Sequence, residues 1–184
     1  MQKVLQWKKS IKEYQNEFNS LQPNNLEKCR CGCTKFHKWG KYERYLVDKD
    51  GDYLIPIKRI RCIKCHLTYS FLPSFCVSKL YFSVDYIMLF LKVLILKLKF
   101  ELGDKKRQAF AFLKKFTESE NLWIVFLRAK SLDYLPNDKK ERRIKMFTAL
   151  LKIHKNQNLI SSFFRETGRH FMAKNEGKTT YLSQ

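Results

Sequence analysis

The sequence predicts an α+β chain in which a small module, built on a β-hairpin with cysteine-bearing turns, precedes a helical region. Three observations carry that prediction. All six cysteines of the 184-residue chain lie between Cys29 and Cys76. Within that stretch two alternating segments, Lys41–Val47 and Tyr53–Arg61, flank Asp48-Lys-Asp-Gly-Asp52, a hairpin turn in which Gly51 tolerates positive φ. Beyond residue 80 the apolar residues recur at helical spacing. The expected division is therefore 1–25, an N-terminal helix and linker; 26–80, the cysteine module; and 81–184, a helical domain whose tail frays from Gly177.

Each element has its own local signal. Val4, Trp7, Ile11, Tyr14 and Phe18 follow a helical spacing, which predicts one short amphipathic helix over residues 1–20, ended by Leu21-Gln-Pro-Asn-Asn25. Pro56 is expected to place the second strand at a sheet edge or to bulge it, because proline offers no N–H to a ladder. A further strand is expected over Leu67–Phe71, ended by Pro73. Ser83 is placed to cap a largely buried helix through Tyr86–Phe100. Lys92, Lys97 and Lys99 interrupt that apolar run, so it falls short of a membrane span. Gly103-Asp104 breaks it. Further helices are expected over Lys105–Phe116, Glu118–Lys130, Asp138–His154 and Asn158–Phe171, with breaks at Leu135-Pro-Asn137 and at Gly168.

The chain carries 37 Lys plus Arg against 17 Asp plus Glu, a formal charge of +20. Such a balance repels itself in a compact state unless a polyanion screens it, and nucleic acid is the expected partner. A lysine-rich surface that serves solubility alone is the competing reading. Met1–Lys12 lacks the apolar segment of an export signal, so a cytoplasmic, reducing location is expected, and no membrane association. In that setting clustered cysteines point to a metal rather than to disulfides.

Cys62-Ile-Lys-Cys65 is a C-x-x-C turn with His66 directly after it, and Cys29-Arg-Cys-Gly-Cys33 lies upstream with the hairpin between. Thiolates at the two ends of a hairpin supply the four soft donors that tetrahedral Zn2+ takes. One structural zinc is expected in this zinc-ribbon arrangement, contributing much of the folding free energy of a module with little core of its own. The upstream turn offers three cysteines for two places. Gly32 eases the turn after Cys31, so Cys29, Cys31, Cys62 and Cys65 form the expected ligand set, with Cys33 the alternative and His37 or His66 possible substitutes. Four thiolates leave no position for a reacting water, which makes a catalytic zinc unexpected. Cys76, between Phe75 and Val77, is expected as a buried small hydrophobe. Asp48-x-Asp50-Gly-Asp52 has Arg59 where a calcium loop needs its last carboxylate, and is better explained as the hairpin turn.

The cysteine turns, together with Phe36-His-Lys-Trp-Gly-Lys-Tyr-Glu-Arg44, Ile57-Lys-Arg-Ile-Arg61, Thr68 and Leu72-Pro-Ser-Phe75, resemble a bacterial zinc-ribbon family of unknown function. That family is itself similar to the N-terminal zinc-binding domains of insertion-sequence transposases. The resemblance covers roughly residues 28–83. It implies metal positions at Cys29, Cys31, Cys62 and Cys65, with Tyr42 and Arg44 on the first strand and Arg59 and Arg61 on the second. Tyr69 stands where the family pattern often has His. Family members often continue into a helix-turn-helix, but Lys106–Lys130 lacks the tight turn of one.

A transposase would need three acidic residues gathered around two metal ions. The carboxylates after the ribbon fall among Lys and Arg as on solvated helix faces, so no enzyme activity is expected. The expected function is a non-catalytic zinc-ribbon protein of a mobile genetic element, nucleoid-associated, binding duplex DNA beside a transposase or recombinase. A zinc-stabilised protein-interaction or RNA-binding module is the alternative. The expected nucleic-acid contacts are Lys38, Arg44, Lys58, Arg59, Arg61 and Lys64 on the ribbon and Lys139, Lys140, Arg142 and Arg143 at a later helix start. Arg59 and Arg61 share a strand face by the period of two. Trp39, Tyr42 and Tyr45 are near enough either to stack on bases or to cover the small core.

Overall fold

Strand pairing begins at the first residues of the chain. In the computed structural model, which describes residues 1–21, 28–99, 102–131, 134–156, 159–167, 169 and 172, Gln2–Leu5 forms strand β1, paired in parallel with Ser70–Pro73. The single helix expected over residues 1–20 is therefore corrected. Its first turn is captured by the sheet, where Met1 O accepts from Ser70 N at 2.9 Å and the terminal ammonium donates to Thr68 O at 2.7 Å. Helix α1 spans only Ile11–Glu17. It starts where Ser10 and Glu13 cap each other: Glu13 N donates to Ser10 Oγ at 3.2 Å, and Ser10 N donates to Glu13 Oε2 at 2.9 Å.

The two alternating segments become β2, Phe36–Asp48, and β3, Gly51–Cys62, both longer than expected. They are followed by β4, Thr68–Pro73, and the four strands lie in the order β1-β4-β3-β2. β3 is central only where Arg59–Arg61 pairs with Thr68–Ser70. Pro56 pairs with Glu43 of β2 alone, on a stretch of β3 that β4 does not reach, so its missing N–H interrupts no second ladder. The β2–β3 register shifts between Lys38 and Lys41, leaving Trp39 and Gly40 opposite the single residue Arg59. Gly40 has φ +83, a conformation that costs an L side chain strain, and it makes this β-bulge possible.

The chain divides into two compact units, Met1–Tyr86 and Ile87–Gln184. In the first, Ile11 and Tyr14 of α1 and Phe18, which directly follows it, pack with Leu46, Ile55, Ile57, Leu72 and Cys76. The Tyr14 hydroxyl donates to Pro56 O at 2.9 Å. A second cluster joins Cys29, Cys62, Tyr69 and Phe71 with Phe36, Ile60 and Leu67 at its margin. Ser83 caps α2, Val84–Ile95, by accepting from Tyr86 N at 2.9 Å. That helix stops short of Phe100.

The second unit holds α3, Lys106–Glu118, α4, Glu120–Arg128, α5, Lys139–Asn156, and α6, Leu159–Thr167. Trp123 is its centre, fully buried with its ring 5.3 Å from Phe116 and 4.4 Å from Phe163, and its Nε1 donating to Phe116 O at 3.0 Å. The turn expected at residues 22–25, the break at Gly168 and the tail from Gly177 lie outside the described residues. Among the described residues no helix is long and apolar enough to cross a membrane.

Candidate metal centre

Two tight turns bring four sulfurs together. In the upstream turn Gly32 N donates to Cys29 O at 2.9 Å and Cys29 N to Cys33 O at 2.8 Å, with Gly32 at φ +80. In the downstream turn His66 N donates to Cys62 O at 3.1 Å and Cys62 N to Leu67 O at 3.0 Å, with His66 at φ 59. The Sγ atoms of Cys29, Cys31, Cys62 and Cys65 lie within 4.8 Å of one another. Cys29 Sγ is 3.4 Å from Cys65 Sγ, and Cys31 Sγ is 3.6 Å from Cys62 Sγ. Both separations are far above a disulfide bond of about 2.05 Å. They lie close to the edge of about 3.8 Å that a tetrahedron of thiolates has around an ion held at about 2.3 Å. The donor set fits a metal ion that these four residues would hold.

The surroundings favour thiolate at the first cysteine of each turn. The Cys31 amide, and then the Tyr69 hydroxyl at 3.3 Å, hold the Cys29 thiol down to about 6. Tyr69 is buried and its oxygen also accepts from Arg30 N at 3.2 Å, so the ring ties β4 to the upstream turn. At Cys62 the Cys65 amide, aided by that of Lys64, outweighs burial and lowers the thiol below its usual range. At Cys65 the Leu67 amide favours the thiolate, but the neighbouring Cys29 sulfur and burial outweigh it and push the thiol up to about 12. Four thiols this close resist ionising together unless a cation neutralises them.

The fifth cysteine of the region stands apart. Cys33 Sγ accepts from Lys35 N at 3.4 Å and is 3.5 Å from Lys35 O, outside the quartet. His37 pairs its ring with Trp39 at 5.6 Å, and His66 serves the turn through its backbone. Cys76 is fully buried, and burial pushes its thiol up to about 12. Sequence reasoning missed Tyr69 as a partner of the site. Its place on the strand that leaves the Cys62–Cys65 turn was the available signal.

The basic residues divide sharply by what they touch. Arg44 Nη2 donates to Val77 O at 2.8 Å and to Leu80 O at 2.5 Å, so this guanidinium ties β2 to the loop before α2. Lys58 donates to Asn19 O at 3.2 Å and to Leu21 O, with the Phe18 ring 5.1 Å from its ammonium. Arg142 is 2.5 Å from Glu120 and donates to Asn137 O at 3.2 Å. By contrast Arg59 stacks over Tyr42 at 5.6 Å and Arg61 over Trp39 at 4.2 Å. Lys38, Lys64, Lys139 and Lys140 are exposed and Arg143 is half-buried. Tyr42 also packs at the margin of the core, while Trp39 is 42% exposed. Tyr45 is exposed and bonds Asp52.

No protein-family model, no curated protein and no solved structure matches this chain.

Proposed function

We propose that this is a non-catalytic zinc-ribbon protein that binds duplex DNA, an accessory of a mobile genetic element. The observation that carries the reading is the strand leading into the downstream cysteine turn. Arg59 and Arg61 stand on it two residues apart, each guanidinium laid on an aromatic ring of β2, with Lys38 exposed on β2 and Lys64 exposed within the downstream cysteine turn. Stacked guanidinium groups keep their edge donors available for phosphate or base acceptors. A chain of charge +20 supplies the long-range attraction. Zinc is the ion that suits four thiolates with no need of redox chemistry. The mobile-element setting is supported by the resemblance of the cysteine-turn string to transposase ribbons. Arg44, Lys58 and Arg142 are already engaged within the fold, which narrows the proposed interface to Lys38, Arg59, Arg61 and Lys64, with Lys139, Lys140 and Arg143 as a second patch.

The test is duplex affinity measured against salt. If Arg59 and the exposed Lys64 each neutralise one phosphate, Arg59→Ala plus Lys64→Ala lowers the slope of log affinity against log salt by about two units. An unchanged slope with zinc retained removes the ribbon from the interface. Absence of DNA binding near physiological salt favours the protein-interaction or RNA-binding module instead.

A further inference from the structure

Arg61 differs from the other basic residues of the ribbon in being held on two sides and open on the third. Its guanidinium lies 4.2 Å from the Trp39 ring, which fixes its plane. Its Nε donates to His66 O at 3.0 Å, which fixes its rotation within that plane. The Nη1 and Nη2 groups make no hydrogen bond or ion pair among the described residues, and Trp39 is 42% exposed, so the stack sits at the surface. Arg44 has its Nη2 engaged by two carbonyls, and Arg59, over Tyr42 at 5.6 Å, has a buried Nε with no partner. Lys38 and Lys64 are exposed point charges on flexible stems.

A phosphate accepts hydrogen bonds from many directions and carries no sequence information, whereas a base edge presents its acceptors in one plane and direction. A guanidinium held over a ring and at Nε, with Nη1 and Nη2 left unpaired, has two N–H groups that match the O6 and N7 acceptors of guanine. The metal turn sets the aim. His66 follows Cys65 directly, holds φ 59, and donates its N–H to Cys62 O at 3.1 Å, so the carbonyl that anchors Arg61 belongs to the turn carrying two of the four sulfurs. His37 pairs with Arg61, so Trp39, two residues along β2 on the same face, is its diagonal neighbour.

We propose that Arg61, stacked on Trp39 and pinned by the His66 carbonyl of the metal turn, reads a guanine edge in duplex DNA. The inference rests on the DNA-binding reading above. The experiment is selection of bound duplexes from a random pool by the zinc-loaded full chain, followed by affinities for the preferred duplex and for the same duplex with 7-deazaguanine at each guanine in turn. One guanine position is expected to be preferred by about tenfold to a hundredfold, and its 7-deaza form to lose most of that preference. Arg61→Lys and Trp39→Ala are expected to abolish the preference at that position with zinc content unchanged, and Trp39→Phe to keep part of it. If Arg61→Ala instead weakens all sequences equally and lowers the salt slope by about one unit, Arg61 is a phosphate contact and the inference fails. Wild-type binding with no base preference overturns the inference and leaves the DNA-binding reading standing. Absence of duplex binding overturns both.

Discussion

Tyr69→Phe isolates one hydroxyl at the candidate metal centre. The Tyr69 ring is 1% exposed and meets Phe36 edge-on at 6.0 Å, a contact phenylalanine keeps. What is lost is the O–H donated to Cys29 Sγ at 3.3 Å and the oxygen that accepts from Arg30 N at 3.2 Å. Outer-shell groups that orient or support a ligand change metal affinity by about 10–100-fold when removed. The Cys31 amide is the larger influence on Cys29 and remains, so the lower end, about tenfold, is the expectation here. The sign of the pH effect follows from the thiol. Cys29 is held down to about 6 in the folded chain, below the ordinary thiol value of 9.0. Its thiolate contribution is therefore present above the unfolded value and lost as pH falls through the folded one. Without the hydroxyl the folded value rises, and zinc should leave at a higher pH than in wild type. Competition with a chromophoric chelator at neutral pH, and an acid titration of bound zinc, measure both effects. Unchanged affinity together with an unchanged release midpoint would refute the role given to Tyr69.

Two further outcomes follow from the same geometry. Cys31→Ser should weaken zinc retention by more than the about 10–100-fold typical of outer-shell changes, and Cys33→Ser by less, because only Cys31 joins the quartet; the reverse ranking in a chelator challenge would move the upstream ligand to Cys33. Trp123→Ala should cost the helical unit about 3–5 kcal/mol, because it empties the space between Phe116 and Phe163 and removes the donor to Phe116 O; a loss below about 1 kcal/mol by denaturant unfolding would contradict its central place.

The parts legible in the sequence were those with local causes. The hairpin followed from alternation around a glycine turn, the Ser83 cap from a hydroxyl before an apolar helix, and the paired cysteine turns from spacing. The N-terminal strand was not legible in that way. Val4 fits the helical series that Ile11, Tyr14 and Phe18 continue, and only the distant Ser70–Pro73 turns Gln2–Leu5 into a strand. One local signal did bound the helix: Ser10-x-x-Glu13 is a capping box, which places the helix start at Ile11 rather than Met1. An isolated glycine within the β2 pattern was likewise a sign of the bulge beside Trp39. The fate of the basic side chains was beyond local reasoning. Arg44 meets carbonyls because a distant loop folds back on it, and Arg61 a ring because of the β2–β3 register, and charge counting treats them alike.

One zinc held by Cys29, Cys31, Cys62 and Cys65 is the expectation on which the proposed function rests. X-ray absorption at the zinc edge, with elemental analysis of the same purified full chain, tests it most directly. The expected result is one zinc per chain with four sulfur neighbours at about 2.3 Å and no nitrogen or oxygen in the shell. A folded, metal-free chain, or a shell that contains nitrogen or oxygen donors, would contradict it.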